Sequence, residues 1–326
     1  VVLVTGASGF IGGHVARLLV DRGYAVRVLV RTASNLSGIV HLPLDRAEGD
    51  LRDIDSLHRA VQGCRQVYHV AADYRLWTNE PAELRRSNVE GTRNILRAAS
   101  TAGVEKVVYT STVGTMGIRG DGTLGTEDSP VSTADMTGHY KRSKFEAEQV
   151  ALEFAAMGLP VVIVNPTAPV GEGDLKPTPT GKIIVDFVRG VMPAYIDTGL
   201  NLVDVRDVAA GHLLAAEHGR PGERYILGAR NMTLREILET LAAIAGRPAT
   251  RLRLPYGVAL GFSLAETAWA SLTGREPRAP LEGVRMARKK MFVTTDKAER
   301  ELGFWPGPVE DALRRAVEWF RRNRYC

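Results

Sequence analysis

The chain has 326 residues, 44% of them hydrophobic and 24% charged, with a formal net charge of +5. This composition excludes fibrous and disordered classes and allows one sizeable core with a smaller second lobe. No apolar run reaches the length of a membrane span, no basic leader precedes the first strand, and Cys64 and Cys326 lack metal-type spacing, so a cytoplasmic protein without a metal site is expected.

The first half alternates β-rich runs with helical patterns, as in a parallel sheet covered on both faces. Strands are expected at 1–5, 25–31, 66–71, 107–111 and 161–165, with a weaker one near 42–48. Ile11, Val15, Leu18 and Leu19 recur at helical spacing, so 10–22 should be an amphipathic helix closed by Gly23. Between strand and helix, Thr5-Gly6-Ala7-Ser8-Gly9-Phe10-Ile11-Gly12 sets three glycines three apart. Gly6 permits a tight turn, Gly9 lets the backbone approach a pyrophosphate, and Gly12 lets helix and strand pack closely, while the helix N-terminus turns free N–H groups to the anion. Gly6, Ser8, Gly9, Phe10, Ile11 and Gly12 are therefore expected to cradle a dinucleotide in an α/β, doubly wound Rossmann domain over 1–165.

The end of the second strand should lie at the adenosine ribose. Val30-Arg31-Thr32 stands there in place of an acidic residue, so Arg31 is expected to pair with a 2′-phosphate, favouring NADP with NAD as second choice. Gly49-Asp50-Leu51 offers Asp50 to the adenine amino group, with Leu51 beside it. His69-Val70-Ala71-Ala72 closes its strand with small residues, Ala71 and Ala72, where bulk would collide with the cofactor.

Residues 107–112 read as a buried strand that ends in hydroxyls. Ser111 or Thr112 should hydrogen-bond a reacting oxygen, and only one of them should face the site because adjacent strand side chains point to opposite faces. Tyr140 and Lys144 lie one turn apart on one helix face. A neighbouring ammonium is expected to lower the phenol's pKa and fit Tyr140 for acid–base exchange.

Beyond residue 165 a Pro-, Gly- and Thr-rich stretch, 166–181, opens the smaller C-terminal lobe, 166–326. Pro166 and Thr167, just past the strand, are counted with the cofactor site. Helices are expected at 183–190, 207–218, 234–245, 256–272 and 309–322, with strands at 200–203 and 224–227. Residues 200–220 are expected to return to the Rossmann domain, the strand 200–205 to its sheet, so that the lobes interleave. Asp73, Tyr74, Trp77, Thr167, Lys176, Lys182 and Tyr195 are candidate pocket residues for a small-molecule substrate, with Lys176, Lys182 and Arg206 open to a phosphate and Asp207 to capping the helix it starts. The stretch 254–272 is unusually apolar and is followed by Arg275, Arg278, Arg285, Arg288, Lys289 and Lys290. It suits a helix packed in the lobe, a homodimer interface or a peripheral membrane contact. Without a reading motif the basic clusters do not point to nucleic acid.

The glycine turn, Asp50, Ala71-Ala72, Asn88-Val89-Glu90-Gly91-Thr92, the hydroxyl-ended strand and Tyr140 with Lys144 occur in the order found in extended short-chain dehydrogenases/reductases. The chain resembles the group of dihydroflavonol 4-reductases and nucleoside-sugar epimerases, most closely the bacterial hopanoid-associated sugar epimerases. The resemblance implies a catalytic triad of Thr112, Tyr140 and Lys144, with Asn88 supporting the cofactor site. The chain departs from the family pattern at Asn165, where an arginine is usual, at Val170-Gly171, which lacks a common tyrosine, and at Thr112, where serine is commoner. Three functions fit: an NADPH-dependent ketone reductase, an epimerase or dehydratase with no net cofactor use, and a dinucleotide-sensing regulator that has lost catalysis.

Overall fold

The structure is a computed structural model, and it describes residues 1–75, 77–78, 80–118, 122–274, 277 and 280–326. The N-terminal half runs β1 (Val2–Thr5), α1 (Phe10–Asp21), β2 (Val26–Val30), β3 (Asp45–Glu48), α2 (Ile54–Val61), β4 (Gln66–His69), α3 (Pro81–Arg85), α4 (Gly91–Thr101), β5 (Lys106–Thr110), α5 (His139–Ala156) and β6 (Val161–Pro166). A π-helical turn, Arg86–Glu90, joins α3 to α4. There follow β7 (Ala168–Val170), α6 (Pro179–Arg189), β8 (Ala194–Ile196), β9 (Gly199–Asp204), α7 (Val205–His218), β10 (Arg224–Leu227), β11 (Arg230–Thr233), α8 (Leu234–Ala245), β12 (Leu252–Leu254), α9 (Tyr256–Thr273), α10 (Leu281–Met286), α11 (Asp296–Leu302) and α12 (Val309–Arg322).

Seven strands form one parallel sheet in the order β10-β6-β5-β4-β1-β2-β3. Both faces are buried, and strand alternation divides their side chains. Val2, Val4, Tyr68 and Val108 pack with Val15 and Leu19 of α1 and Val208 of α7, while Leu3, Val67, Val107 and Tyr109 pack with Leu57, Ile95 and Ala147 of α2, α4 and α5. Chain direction across the sheet reverses between β1 and β4, so their C-terminal ends open the crevice in which a doubly wound sheet takes its ligand.

Within 200–220 the helix returns to the Rossmann domain, but the strand does not return to its sheet. β9 does not join the large sheet; it is the central strand of a three-stranded sheet, β11-β9-β7. The returns are made by α7, which packs on α1 and β6, and by β10, which extends the parallel sheet beside β6. Helix α7 begins at Val205, capped by Asp204, whose carboxylate accepts from Arg206 N at 3.0 Å. Asp207 is thus inside the first turn rather than at the cap, and it accepts from Gly307 N at 2.8 Å. A separate apolar cluster joins α6, α8 and α12 in the C-terminal lobe. Among the described residues no helix is long and apolar enough to cross a membrane.

Candidate active site

The turn after β1 admits no side chain at Gly6 or Gly12. Gly6 has φ +73°, and a Cβ there would stand 2.7 Å from the Ala71 backbone; a Cβ on Gly12 would stand 2.2 Å from Gly6 O. Helix α1 starts at Gly9 with no side-chain cap and no acidic residue in its first turn. Its first N–H groups and its dipole therefore face the crevice ready for an anion, beside exposed Ser8 and half-buried Phe10 and Ile11. A dinucleotide pyrophosphate fits this geometry. Ala71 and Ala72 line the opposite wall, with Ala71 N donating to Thr5 Oγ1 at 3.2 Å.

Arg31 lies exposed just past β2, near enough to Asp50 to help hold that carboxyl below its usual range, although the larger cause is Arg52. Asp50 is gripped by Arg52 through Nε at 2.9 Å and Nη2 at 2.8 Å, and Leu51 packs against Gly91 at the start of α4. Pro166 and Thr167 are buried at the end of β6, where Thr167 N donates to Leu227 O at 3.0 Å.

Beneath the glycine turn runs a buried polar chain that sequence reasoning missed. Thr5 Oγ1 contacts His69 Nδ1 at 2.8 Å, and His69 Nε2 contacts Thr92 Oγ1 at 3.1 Å. Thr5 Oγ1 also accepts from Ala71 N, so the hydroxyl links the ring to the loop after β4. Burial, helped by Lys144, pushes His69 down to about 3, so it stays neutral. Thr92 in turn contacts Tyr109. Lys144 Nζ donates to Tyr109 Oη at 3.2 Å and Thr110 O at 2.8 Å. The motifs holding His69 and Thr92 were visible in the sequence; their meeting was not.

Thr112, not Ser111, faces Tyr140. Its hydroxyl accepts from Gly114 N at 3.1 Å and makes a polar contact that draws the phenol's pKa down. Burial outweighs that contact and pushes Tyr140 up to about 12, with Asp73 and Tyr74 adding to the rise. Burial also brings Lys144 down to about 8. Thus Lys144 is not among the groups that shift the phenol, contrary to expectation: the crevice disfavours both charges, and a neutral phenol stands one helical turn before an ammonium that gives up its proton more easily than usual. Asn88 sits in the π-helical turn, a geometry common at functional sites. Its amide donates to Ser143 Oγ at 2.9 Å and Asp73 O at 2.8 Å, tying α5 to the loop after β4.

Asn165 has a second task. Its amide nitrogen reaches Thr112 O at 3.1 Å, Thr115 Oγ1 at 3.2 Å and Glu148 Oε2 at 2.8 Å. Glu148, fully buried on α5, also meets Arg224 of β10 at 3.3 Å. Asn165 thus holds the backbone of Thr112.

Other candidates disperse. Lys182 pairs with Asp186 at 2.6 Å and Arg206 with Glu172 at 2.6 Å, so neither is an idle phosphate ligand. Asp73 is held by Arg75, Tyr74 Oη donates to Lys176 O at 3.3 Å, and Tyr195 packs in the C-terminal cluster. Trp77 is half-buried and Lys176 exposed, whereas Arg275 and Arg278 lie outside the described residues.

Residues 2–228 match the NAD dependent epimerase/dehydratase family. The chain is 47% identical to the Synechocystis protein named "Putative dihydroflavonol 4-reductase", over 99% of this chain and 95% of that one. It is 36% identical to sterol demethylase protein B of Methylococcus capsulatus, over 98% of each. The solved structure of a nucleoside-diphosphate-sugar epimerase from Pseudomonas aeruginosa matches with a TM-score of 0.82 at 29% identity, over 99% of this chain and 98% of that one.

Proposed function

The chain belongs to the NAD-dependent epimerase/dehydratase family of enzymes, and within it we propose that this protein is an NADPH-dependent reductase of a ketone on a ring-bearing, largely apolar substrate. The observation that carries the reading is Tyr140, a phenol kept in its acid form beside the Thr112 hydroxyl. Hydride is what the bound dinucleotide supplies. The chain's residues do the rest. The hydroxyls of Thr112 and Tyr140 orient the carbonyl oxygen, and Tyr140 Oη gives its proton to that oxygen as negative charge develops there. Lys144, held at Thr110 O, places a positive charge near the phenol as it loses its proton. Asn88 and Asn165 keep α5 and the Thr112 backbone in place. The names of the two relatives, a dihydroflavonol reductase and a sterol demethylase component, support a fused-ring, weakly polar substrate.

NADPH is preferred on account of Arg31, whose guanidinium is exposed at the tip of β2 where a 2′-phosphate would lie. NADPH should bind at least about tenfold more tightly than NADH, and Arg31→Asp should reverse the order. Equal affinities, measured by quenching of protein fluorescence, would remove Arg31 from the argument. The likeness to a sugar epimerase structure supports a second reading, in which the same residues oxidise a sugar hydroxyl and return the hydride to the opposite face. A substrate panel followed at 340 nm separates the two in about one experiment: stoichiometric loss of NADPH means reductase, and product without net loss means epimerase.

A further inference from the structure

Helix α9 is built inside out. Val258, Phe262, Ala265, Trp269 and Leu272 recur at i, i+4, i+7, i+11 and i+14, which places them on one stripe. In a surface helix that stripe faces the core. Here it faces outward: Val258 is 58% exposed, Phe262 53%, Trp269 65% and Leu272 82%. The opposite stripe, turned to the protein, carries Ser263, Glu266 and Thr267, each engaged by the protein, together with buried Ala270.

The surroundings are basic. Residues 251–290 contain eight Arg and Lys against three Asp and Glu. Of the acidic ones, Glu266 is on the inner face and Glu282 accepts from His139 N at 2.6 Å. Arg251 and Arg253 precede the helix, and Arg285, Arg288, Lys289 and Lys290 follow on and after α10, which packs against α9; all six are exposed. Asp197 joins the two basic groups, meeting Arg253 at 2.9 Å and Lys290 at 3.5 Å.

We propose that the outer face of α9 docks on an anionic lipid bilayer, with the aromatic and aliphatic stripe in the interfacial layer and the basic residues against the headgroups. An apolar face with an exposed tryptophan and a basic margin is the make-up of a helix that lies in the membrane plane. A protein partner or a second copy would account for the apolar stripe but not for the basic margin around it. Helix α10, which packs against α9, adjoins the site, because Glu282 bonds His139 N, one residue before Tyr140. A lipid-dissolved substrate would then have a short path from the bilayer to the phenol.

The test is sedimentation of the purified full chain with phosphatidylcholine vesicles, alone or with about 30 mol% phosphatidylglycerol, at low and high salt. Binding is expected to the anionic vesicles only, and to weaken with salt. Phe262→Asp with Trp269→Asp should lower the bound fraction by about tenfold or more, as should Arg285→Glu with Arg288→Glu, with dinucleotide affinity unchanged. Should the aspartate pair impair folding, brominated lipid still reports on the unaltered chain: it should quench the wild-type fluorescence and quench the Trp269→Phe variant markedly less. No binding to anionic vesicles, equal binding to neutral ones, or a dimer that the aspartate pair splits into monomers would overturn the proposal.

Discussion

Helices α5 and α9 are both 18 residues long, and each inverts the usual placement of polar and apolar groups. On α5 the charge goes inward. Lys144 and Glu148 are buried on the sheet face with Ser143, where burial alone would cost several kcal/mol were their partners missing. On α9 the apolar surface goes outward. Each breaks a rule of patterning, and each break coincides with a proposed use: proton chemistry for the buried charges of α5, and a contact surface for the bare stripe of α9. The contrast can be attacked from the α5 side first, where the effects are largest.

Tyr140→Phe removes the proton donor and leaves the ring. Turnover should fall by about 10²- to 10⁴-fold while the dinucleotide binds as before. Stopped-flow turnover near the wild-type rate would strip α5 of its catalytic role. The next effect is in pH. Lys144 is brought from 10.5 down to about 8, so the unfolded chain holds more protons than the folded one between those values, and stability due to this group rises with pH across that window. Reduction should move the other way, declining above about pH 8 as the ammonium beside the phenol is lost. Melting temperature and rate, followed against pH in wild type and Lys144→Met, should show opposite trends that the variant abolishes; parallel trends would mean that another group titrates.

Asn165→Ala should have a smaller effect. It takes a donor from Thr112 O and Glu148 at once, so stability should fall by about 1–3 kcal/mol and turnover several-fold. Wild-type turnover in a destabilised variant would make Asn165 merely structural. This residue also marks where sequence reading stops. The glycine turn, α1 with its Gly23 stop, Tyr140 and Lys144 were legible because their spacing is local and each rule applies within a few residues. Asn165, Glu148 and Arg224 are brought together only by the pairing of β6 with β10 and the packing of α5 on β6, and Thr5, His69 and Thr92 only by the pairing of β1 with β4 and the packing of α4 on β4. The placement of β9 failed for the same reason: an apolar strand of the right length states that it must pair, not with which sheet. The sequence offers Asp207 as a cap, but Asp204, three residues earlier, has an equally good side chain, and the end of β9 decides for it.

The smallest expected effect bears most directly on α9. The sequence marks 254–272 as an unusually apolar helix but is silent on which of its residues turn in or out. A tryptophan packed in a core costs about 3–5 kcal/mol when truncated to alanine. Trp269 has little to lose, so Trp269→Ala should change the unfolding free energy by no more than about 0.5 kcal/mol in chemical denaturation, the range of an ordinary surface substitution. A loss of several kcal/mol from the unliganded monomer would place the indole in a core, and the inversion that sets α9 against α5 would vanish. An unchanged stability would leave the indole as part of a contiguous exposed stripe with Val258, Phe262 and Leu272, the kind of patch that marks a contact surface.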